Sequence, residues 1–365
     1  MKINLVKKEN DFFKDDFKKQ LNKNLLSAKF ILGPDVKKLE DNLSNYIGNK
    51  YSIAVSSGTD ALLLALMSIR IKPGDEIITT PFTWISNVEV IKLLKAKPVF
   101  VDIDNDTFNL DYKLVKKKIT KKTKAVIAVS LFGQCSELLE LKKICKKKKI
   151  YLIEDAAQSF GAKIKKYKSC NIADISCTSF FPTKVLGCLG DGGACFTNNP
   201  KLADKLKRLR NHGKDRKGRF SEIGLNGRLD TLQASFLIIK LKKINFLIKK
   251  RIEAAKFYNK NLGSLCDKIT LPFIREGYFS VYSQYTIKVK DKRNELFLFL
   301  KSKNIDAKIF YKPIYLEKAY KTNSKSFKNC NNITKEVLSI PISSSVTRKY
   351  QLYVTKSIKE FYGQM

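Results

Sequence analysis

From residue 51 onward, short apolar runs alternate with longer stretches in which apolar residues recur every three or four positions. The runs at 51–56, 76–79, 98–103, 125–130, 151–153, 175–180 and 193–197 are strand-length, and the P-G-D turn of residues 73–75 precedes the second of them. Between them the spacing predicts helices: one at 33–48 with Val36, Leu39, Leu43 and Ile47 on one face and Gly48 as its stop, one opening at Gly58, then 111–119, 137–147 and 200–210. Strand and helix alternating at this interval predict an α/β fold whose main sheet is largely parallel and covered on both faces. The residues before Gly33 form an N-terminal arm. An irregular glycine-bearing stretch runs from 211 to 227, long enough to be functional or mobile. After it, Leu237, Leu241, Ile244, Ile248, Ile252 and Ala255 mark one stripe on a single long helix. Strand 281–289, helix 293–303 and strand 305–311 then predict a smaller α+β unit, with a loop at 343–345. The expected division is 1–235, arm and large domain, and 236–365, a small domain that begins in the bridging helix.

Composition narrows the class. A chain of 365 residues with 44% hydrophobic and 29% charged residues suits a globular enzyme with a sizeable core. The longest dense apolar run, 61–67, is far short of a membrane span, and the acidic and basic N-terminus has no signal-like core, so a cytoplasmic protein is expected. The net charge of +37 invites a nucleic-acid reading, but only 10 of the 71 basic residues are arginine and no aromatic stripe accompanies them. The lysines are spread along the chain, as on a solvated surface whose field would also draw an anionic nucleotide. Eight cysteines form no C-x-x-C pair and His212 is the lone histidine, so metal-site spacing is absent and reduced, mostly buried thiols are expected.

The chemistry concentrates in two stretches. S-C-T-S-F-F-P-T-K-V-L-G-C-L-G-D-G-G, residues 176–193, sets Lys184 in a tight Gly/Pro turn leaving a strand. A lysine held dry there has a lowered pKa and can act as a Schiff-base nucleophile. In Y-L-I-E-D-A-A-Q-S-F-G, residues 151–161, a buried strand ends on Asp155 and Gln158, at the carboxyl edge where parallel sheets place ligand groups. An acid there can hold a pyridine nitrogen protonated, which is what pyridoxal 5'-phosphate (PLP) requires. S-S-G-T-D-A, at a helix start, reads either as an ordinary cap through Ser57 or Thr59 or as an anion site. Trp84, the only tryptophan, reads on its own as core.

These segments resemble the DegT/DnrJ/EryC1/StrS family of PLP-dependent sugar aminotransferases, from about residue 31 to 316. The resemblance implies the PLP-dependent transferase fold (aspartate aminotransferase-like, fold type I) and a homodimer with shared active sites. It implies that Lys184 carries PLP and acts as the catalytic acid/base, that Asp155 faces the ring nitrogen, and that Gln158 lies near the ring on which Trp84 stacks. Gly58, Thr59 and Ser179 would hold the phosphate, joined by Asn226 from the neighbouring subunit. His212 becomes a loop residue near that interface. A lysine at 184 argues against the family's dehydratase branch. S-L-F-G-Q-C, A-A-Q-S-F-G-A, K-S-C-N and R-L-D-T-L-Q-A look nearest to the aminotransferases of UDP-2-acetamido-2-deoxy-3-oxo-glucuronate, with glutamate as donor, in bacterial surface-polysaccharide (O-antigen, lipopolysaccharide) synthesis. The alternatives are another nucleotide sugar, a dTDP-3-keto-6-deoxyhexose or a 4-ketosugar, and a non-catalytic regulatory or binding protein on the same fold. The expected substrate contacts are Arg228, Phe310 and Tyr311; Arg228 reads equally as a carboxylate partner or as one side of an ion pair with Asp230 or another acid. Phe310 stands where relatives carry histidine, Gly227 replaces a more usual serine, and P-I-S-S-S lacks the family's aromatic and histidine features.

Overall fold

The computed structural model describes residues 4–320 and 327–364. Its first five strands are β1 (Tyr51–Val55), β2 (Glu76–Thr79), β3 (Lys97–Phe100), β4 (Thr123–Val129) and β5 (Tyr151–Asp155). A small hairpin, β6 (Lys163–Ile164) and β7 (Tyr167–Lys168), precedes β8 (Ile175–Ser179) and β9 (Gly193–Thr197). Seven of these form one sheet in the order β1-β9-β8-β5-β4-β2-β3, in which β9 alone runs antiparallel to its neighbours. Alternate side chains feed two separate cores: Ala54, Val126, Ala128 and Leu152 face one, and Ile53, Ala125, Ile127 and Ile153 the other. Period-two alternation with both faces buried is the physical mark of a sheet between two helix layers. The helix Pro34–Ile47 lays its predicted face, Val36, Leu39, Leu43 and Ile47, on the first core, and Gly48 ends it at φ +84°. The mainly parallel α/β fold is as expected.

Beyond residue 262 come β10 (Ile269–Thr270), β11 (Tyr278–Phe279), β12 (Tyr285–Val289) and β13 (Val337–Ile340). The sheet β10-β12-β13 packs with Tyr258, Leu300, Val354 and Ile358 around a further core. Three expectations need correction here. The single long helix is two, Thr231–Leu241 and Ile244–Leu262, parted by a turn at 242–243. No glycine or proline marks the break, and the apolar stripe continues across it, so the pattern gave no sign. The strand expected at 281–289 starts only at Tyr285, because Val281 donates instead to the Gly133 carbonyl. There a Cβ on Gly133 would meet the Tyr282 nitrogen at 2.6 Å. The strand expected at 305–311 reduces to one bridge, Lys308 with Ser339.

The N-terminal arm comprises the helices Leu5–Asp11 and Lys14–Ser27. Phe13 and Phe17 dock on Phe236 and Leu247, and Glu9 forms a buried ion pair with Lys240 at 2.7 Å. Seven of the eight cysteines are buried and all are free. No helix among the described residues is long and apolar enough to cross a membrane.

Candidate active site

The carboxyl ends of β5 and β8 lie side by side, with Asp155 paired to Cys177 and the Ala156 N–H donating to the Cys177 carbonyl at 2.7 Å. Strand pairing therefore fixes Asp155 beside the chain that leaves β8 toward Lys184. Asp155 is buried; its Oδ1 accepts from the Ala157 N–H at 3.0 Å and its Oδ2 from Asn87 Nδ2 at 2.7 Å. No ion pair neutralises it among the described residues. Asn87 is fully buried on the helix Ser86–Leu93, reached also by Thr83 at 3.2 Å, and its Oδ1 has no partner.

Lys184 sits on a loop pinned at both ends. Phe180, Val185 and Leu186 are buried, while Phe181 stays exposed. Gly187 is required by the turn, since a Cβ there would meet the Pro182 carbonyl oxygen at 2.6 Å. The Lys184 side chain is half-buried, and desolvation of its amine lowers its pKa, with the nearby Asp155 charge working in the opposite direction. Depressed basicity is what a nucleophilic amine needs, and the same observation ties the amine to the carboxylate.

Gln158 bridges two elements: its Oε1 accepts from the Phe132 N–H at 2.9 Å, and its Nε2 donates to the Tyr311 hydroxyl at 2.7 Å. Tyr311 stacks on Phe132 at 6.3 Å and lies 6.4 Å from Trp84, with burial pushing its phenol pKa up. Trp84 is 59% exposed, so the core reading of its sequence position does not hold. An indole left uncovered beside this cluster is a face for a planar ligand.

The helix Gly58–Ser68 begins opposite Ser179. Ser57 is its N-cap, accepting from the Asp60 N–H at 3.0 Å, and the Thr59 hydroxyl bonds Ser86 at 2.8 Å. A Cβ on Gly58 would lie 2.7 Å from Ser179 Cβ. The capped helix start is thus pressed against a hydroxyl-bearing strand end, with backbone N–H groups at the positive end of the helix dipole.

Two expected residues, Asn226 and Arg228, make no side-chain contact with this cluster, whereas Phe310 joins its edge. Asn226 is exposed, bridged to Asn211. Arg228 pairs with neither Asp230 nor another acid among the described residues; its Nη1 donates to Asn211 Oδ1 at 2.9 Å and its Nε is unpartnered. Phe310 packs beside Tyr311, with ring centroids 5.1 Å apart. His212 takes a positive φ of 59° in the 211–227 loop. Sequence reasoning missed Asn87 and Phe132. Asn87 follows Thr83 by one helical turn, a spacing that signals a hydrogen bond but not its distant partner, Asp155.

A model of the DegT/DnrJ/EryC1/StrS aminotransferase family matches residues 12–359. UDP-2-acetamido-2-deoxy-3-oxo-D-glucuronate aminotransferase of Pseudomonas aeruginosa is 44% identical over 313 residues, 86% of each chain. A pleiotropic regulatory protein of Geobacillus stearothermophilus is 37% identical over 356 residues, 96% of this chain and 95% of that one. The crystal structure of S. venezuelae DesV, in complex with a ketimine intermediate, has a TM-score of 0.94 at 31% identity over 98% of this chain and 96% of that one. The cofactor is PLP, and the residues present fit it. A desolvated amine, a buried carboxylate with no cation partner, an open aromatic face and a helix N-terminus with no room for a side chain match its aldehyde, ring nitrogen, ring and phosphate. With fold, sequence and site chemistry in agreement over nearly its whole length, the chain is a member of the DegT/DnrJ/EryC1/StrS aminotransferase family.

Proposed function

We propose that this aminotransferase moves the amine of glutamate onto C3 of a nucleotide-linked 3-ketosugar, with UDP-2-acetamido-2-deoxy-3-oxo-glucuronate preferred. The observation that carries the reading is the desolvated Lys184 amine within electrostatic reach of the buried Asp155, which forms no ion pair among the described residues. The P. aeruginosa relative, named for that uronate, supports the sugar assignment. Bound PLP supplies an electron sink for bond cleavage at the donor's α-carbon. The residues do the rest. Lys184, its basicity lowered by burial, takes the proton from the donor carbon and returns one to the sugar carbon. Asp155, steadied by Asn87 and the Ala157 N–H, keeps the pyridine nitrogen protonated. Trp84 and Gln158 bracket the ring, while Gly58, Thr59 and Ser179 bind phosphate. Asn226, on the same 211–227 stretch as the exposed Phe220 and Ile223, reaches the neighbouring subunit's site in a homodimer, and the Arg228 guanidinium, paired with no acid among the described residues, meets the sugar carboxylate. The enzyme acts in the cytoplasm, in surface-polysaccharide synthesis. A panel of 3-keto and 4-keto nucleotide sugars with glutamate tests this reading: activity confined to 4-ketosugars defeats it.

The regulatory relative favours a second reading, a PLP-binding protein without turnover. Borohydride would then fix the cofactor onto Lys184 while no sugar in the panel is aminated.

A further inference from the structure

Behind the loop that carries Lys184 lies a cavity of about 510 Å³, where the helices Leu5–Asp11 and Ile244–Leu262 meet the C-terminal sheet. Pro182 and Thr183 line it just ahead of Lys184, and Phe310 just ahead of Tyr311. Its polar wall holds Arg251, Gln284 and Lys308 together with the carboxylates of Glu9 and Asp306. Arg251 is only 3% exposed, yet its guanidinium makes one long hydrogen bond, Nη1 to the Ser283 carbonyl at 3.5 Å, and its Nε has no partner. A buried guanidinium with five donors and one weak acceptor is an unsatisfied group.

Glu9, on the same cavity wall, attracts Arg251 but forms no ion pair with it. Glu9 is committed to Lys240 at 2.7 Å and to the Ser344 hydroxyl. Lys240 and Arg251 are therefore two buried cations sharing one buried carboxylate, which leaves one positive charge uncompensated. At the exposed rim Lys308 lies 3.5 Å from Asp306, so it adds hydrogen-bond donors there rather than net charge.

We propose that Arg251, with Gln284 and Lys308 beside it, is a carboxylate-binding subsite opening behind the Lys184 loop. The inference rests on the transaminase reading, in which both the amino donor and the uronate sugar bring a carboxylate. A single surplus charge matches a monoanion better than a doubly charged phosphate, and the planar fork of a guanidinium suits a carboxylate's two oxygens. The volume lies in the range of small-ligand sites.

The test uses the holoenzyme titrated with glutarate, which has two carboxylates but neither amine nor ketone to react. Arg251→Met is expected to weaken glutarate binding by about 10- to 100-fold, the loss typical of hydrogen bonds to a charged group. The source of the natural carboxylate is read from KM. A rise for glutamate alone assigns the subsite to the donor, and a rise for the uronate sugar but not its neutral hexose counterpart assigns it to the sugar in place of Arg228. If Arg251→Met does not fold, Gln284→Leu and Lys308→Met report from the other side of the cavity. A flat glutarate isotherm in the wild type, or constants unchanged in the variants, overturns the proposal. Arg251-dependent glutarate binding by a protein that aminates no ketosugar defeats the proposed function and leaves the subsite standing.

Discussion

The crowding around Gly58 makes the phosphate cradle testable by a single methyl group. A Cβ there would sit 2.7 Å from Ser179 Cβ, 3.2 Å from Ser179 Cα and 3.3 Å from Ser179 Oγ. Ordinary carbon contacts are about 3.5–4.0 Å, so the helix start and the strand end must part by about 1 Å. The helix has nowhere to retreat, since a Cβ on Gly193 would already meet the Ser57 carbonyl at 2.4 Å. Gly58→Ala should therefore lose about 1–3 kcal/mol to overpacking, offset in part by up to about 1 kcal/mol of helix propensity. Its effect on the cofactor should be larger. Displacing one charge-assisted hydrogen bond from the phosphate costs about 1.5–3 kcal/mol, or about 10- to 150-fold in the PLP dissociation constant. Apoprotein titrated with PLP and followed by absorbance reads the affinity, and calorimetric unfolding reads the stability. The double variant Gly58→Ala/Ser179→Gly removes the clashing Cβ and should recover the melting temperature without recovering full PLP affinity. Wild-type affinity and stability in Gly58→Ala would refute the cradle.

Asn87→Leu removes the 2.7 Å donor from Asp155 Oδ2 and should raise the PLP dissociation constant by at least about 10-fold; an unchanged titration sinks the link. Glu40→Ala should cost about 3–5 kcal/mol in urea unfolding, because Glu40 neutralises buried Arg210 and accepts from the Ala54 N–H at 3.0 Å; a cost typical of a surface substitution would count against it. Burial lowers the Lys184 pKa, so between its folded value and the ordinary 10.5 the unfolded chain binds more protons, and stability rises with pH. The stability of apoprotein relative to Lys184→Met should accordingly improve from pH 7 toward 10; a difference constant with pH contradicts the desolvated amine.

The large sheet was legible because its signal is local. Each strand is a short apolar run, and each helix carries its own stripe and caps, as at Val36 to Gly48. The smaller unit was less legible because its backbone partners are remote. Lys308 pairs with Ser339 for one bridge only, and residues 281–284 turn aside to meet Gly133. The break at 242–243 escaped because a hydrophobic stripe specifies a face, not a continuous axis.

The site divides along the same line. Asp155 stands at a strand end and Lys184 on the loop that leaves the next strand, where topology turns position in the sequence into position in space. Asn87 joins Asp155 across 68 residues, and Glu9 joins Lys240 from near the other end of the chain's first two-thirds, so neither pair is written in any window of the chain. Charge makes the point sharper. A surplus of 37 positive charges says nothing about any one lysine at the surface, where water screens it. In the interior the same surplus must be resolved group by group: Arg210 by Glu40, Lys240 by Glu9, and Arg251 only by a share of that same Glu9. A buried cation left over after that accounting is a demand for an anion from outside the chain, and it arises beside the loop whose lysine would exchange nitrogen with carboxylate-bearing molecules.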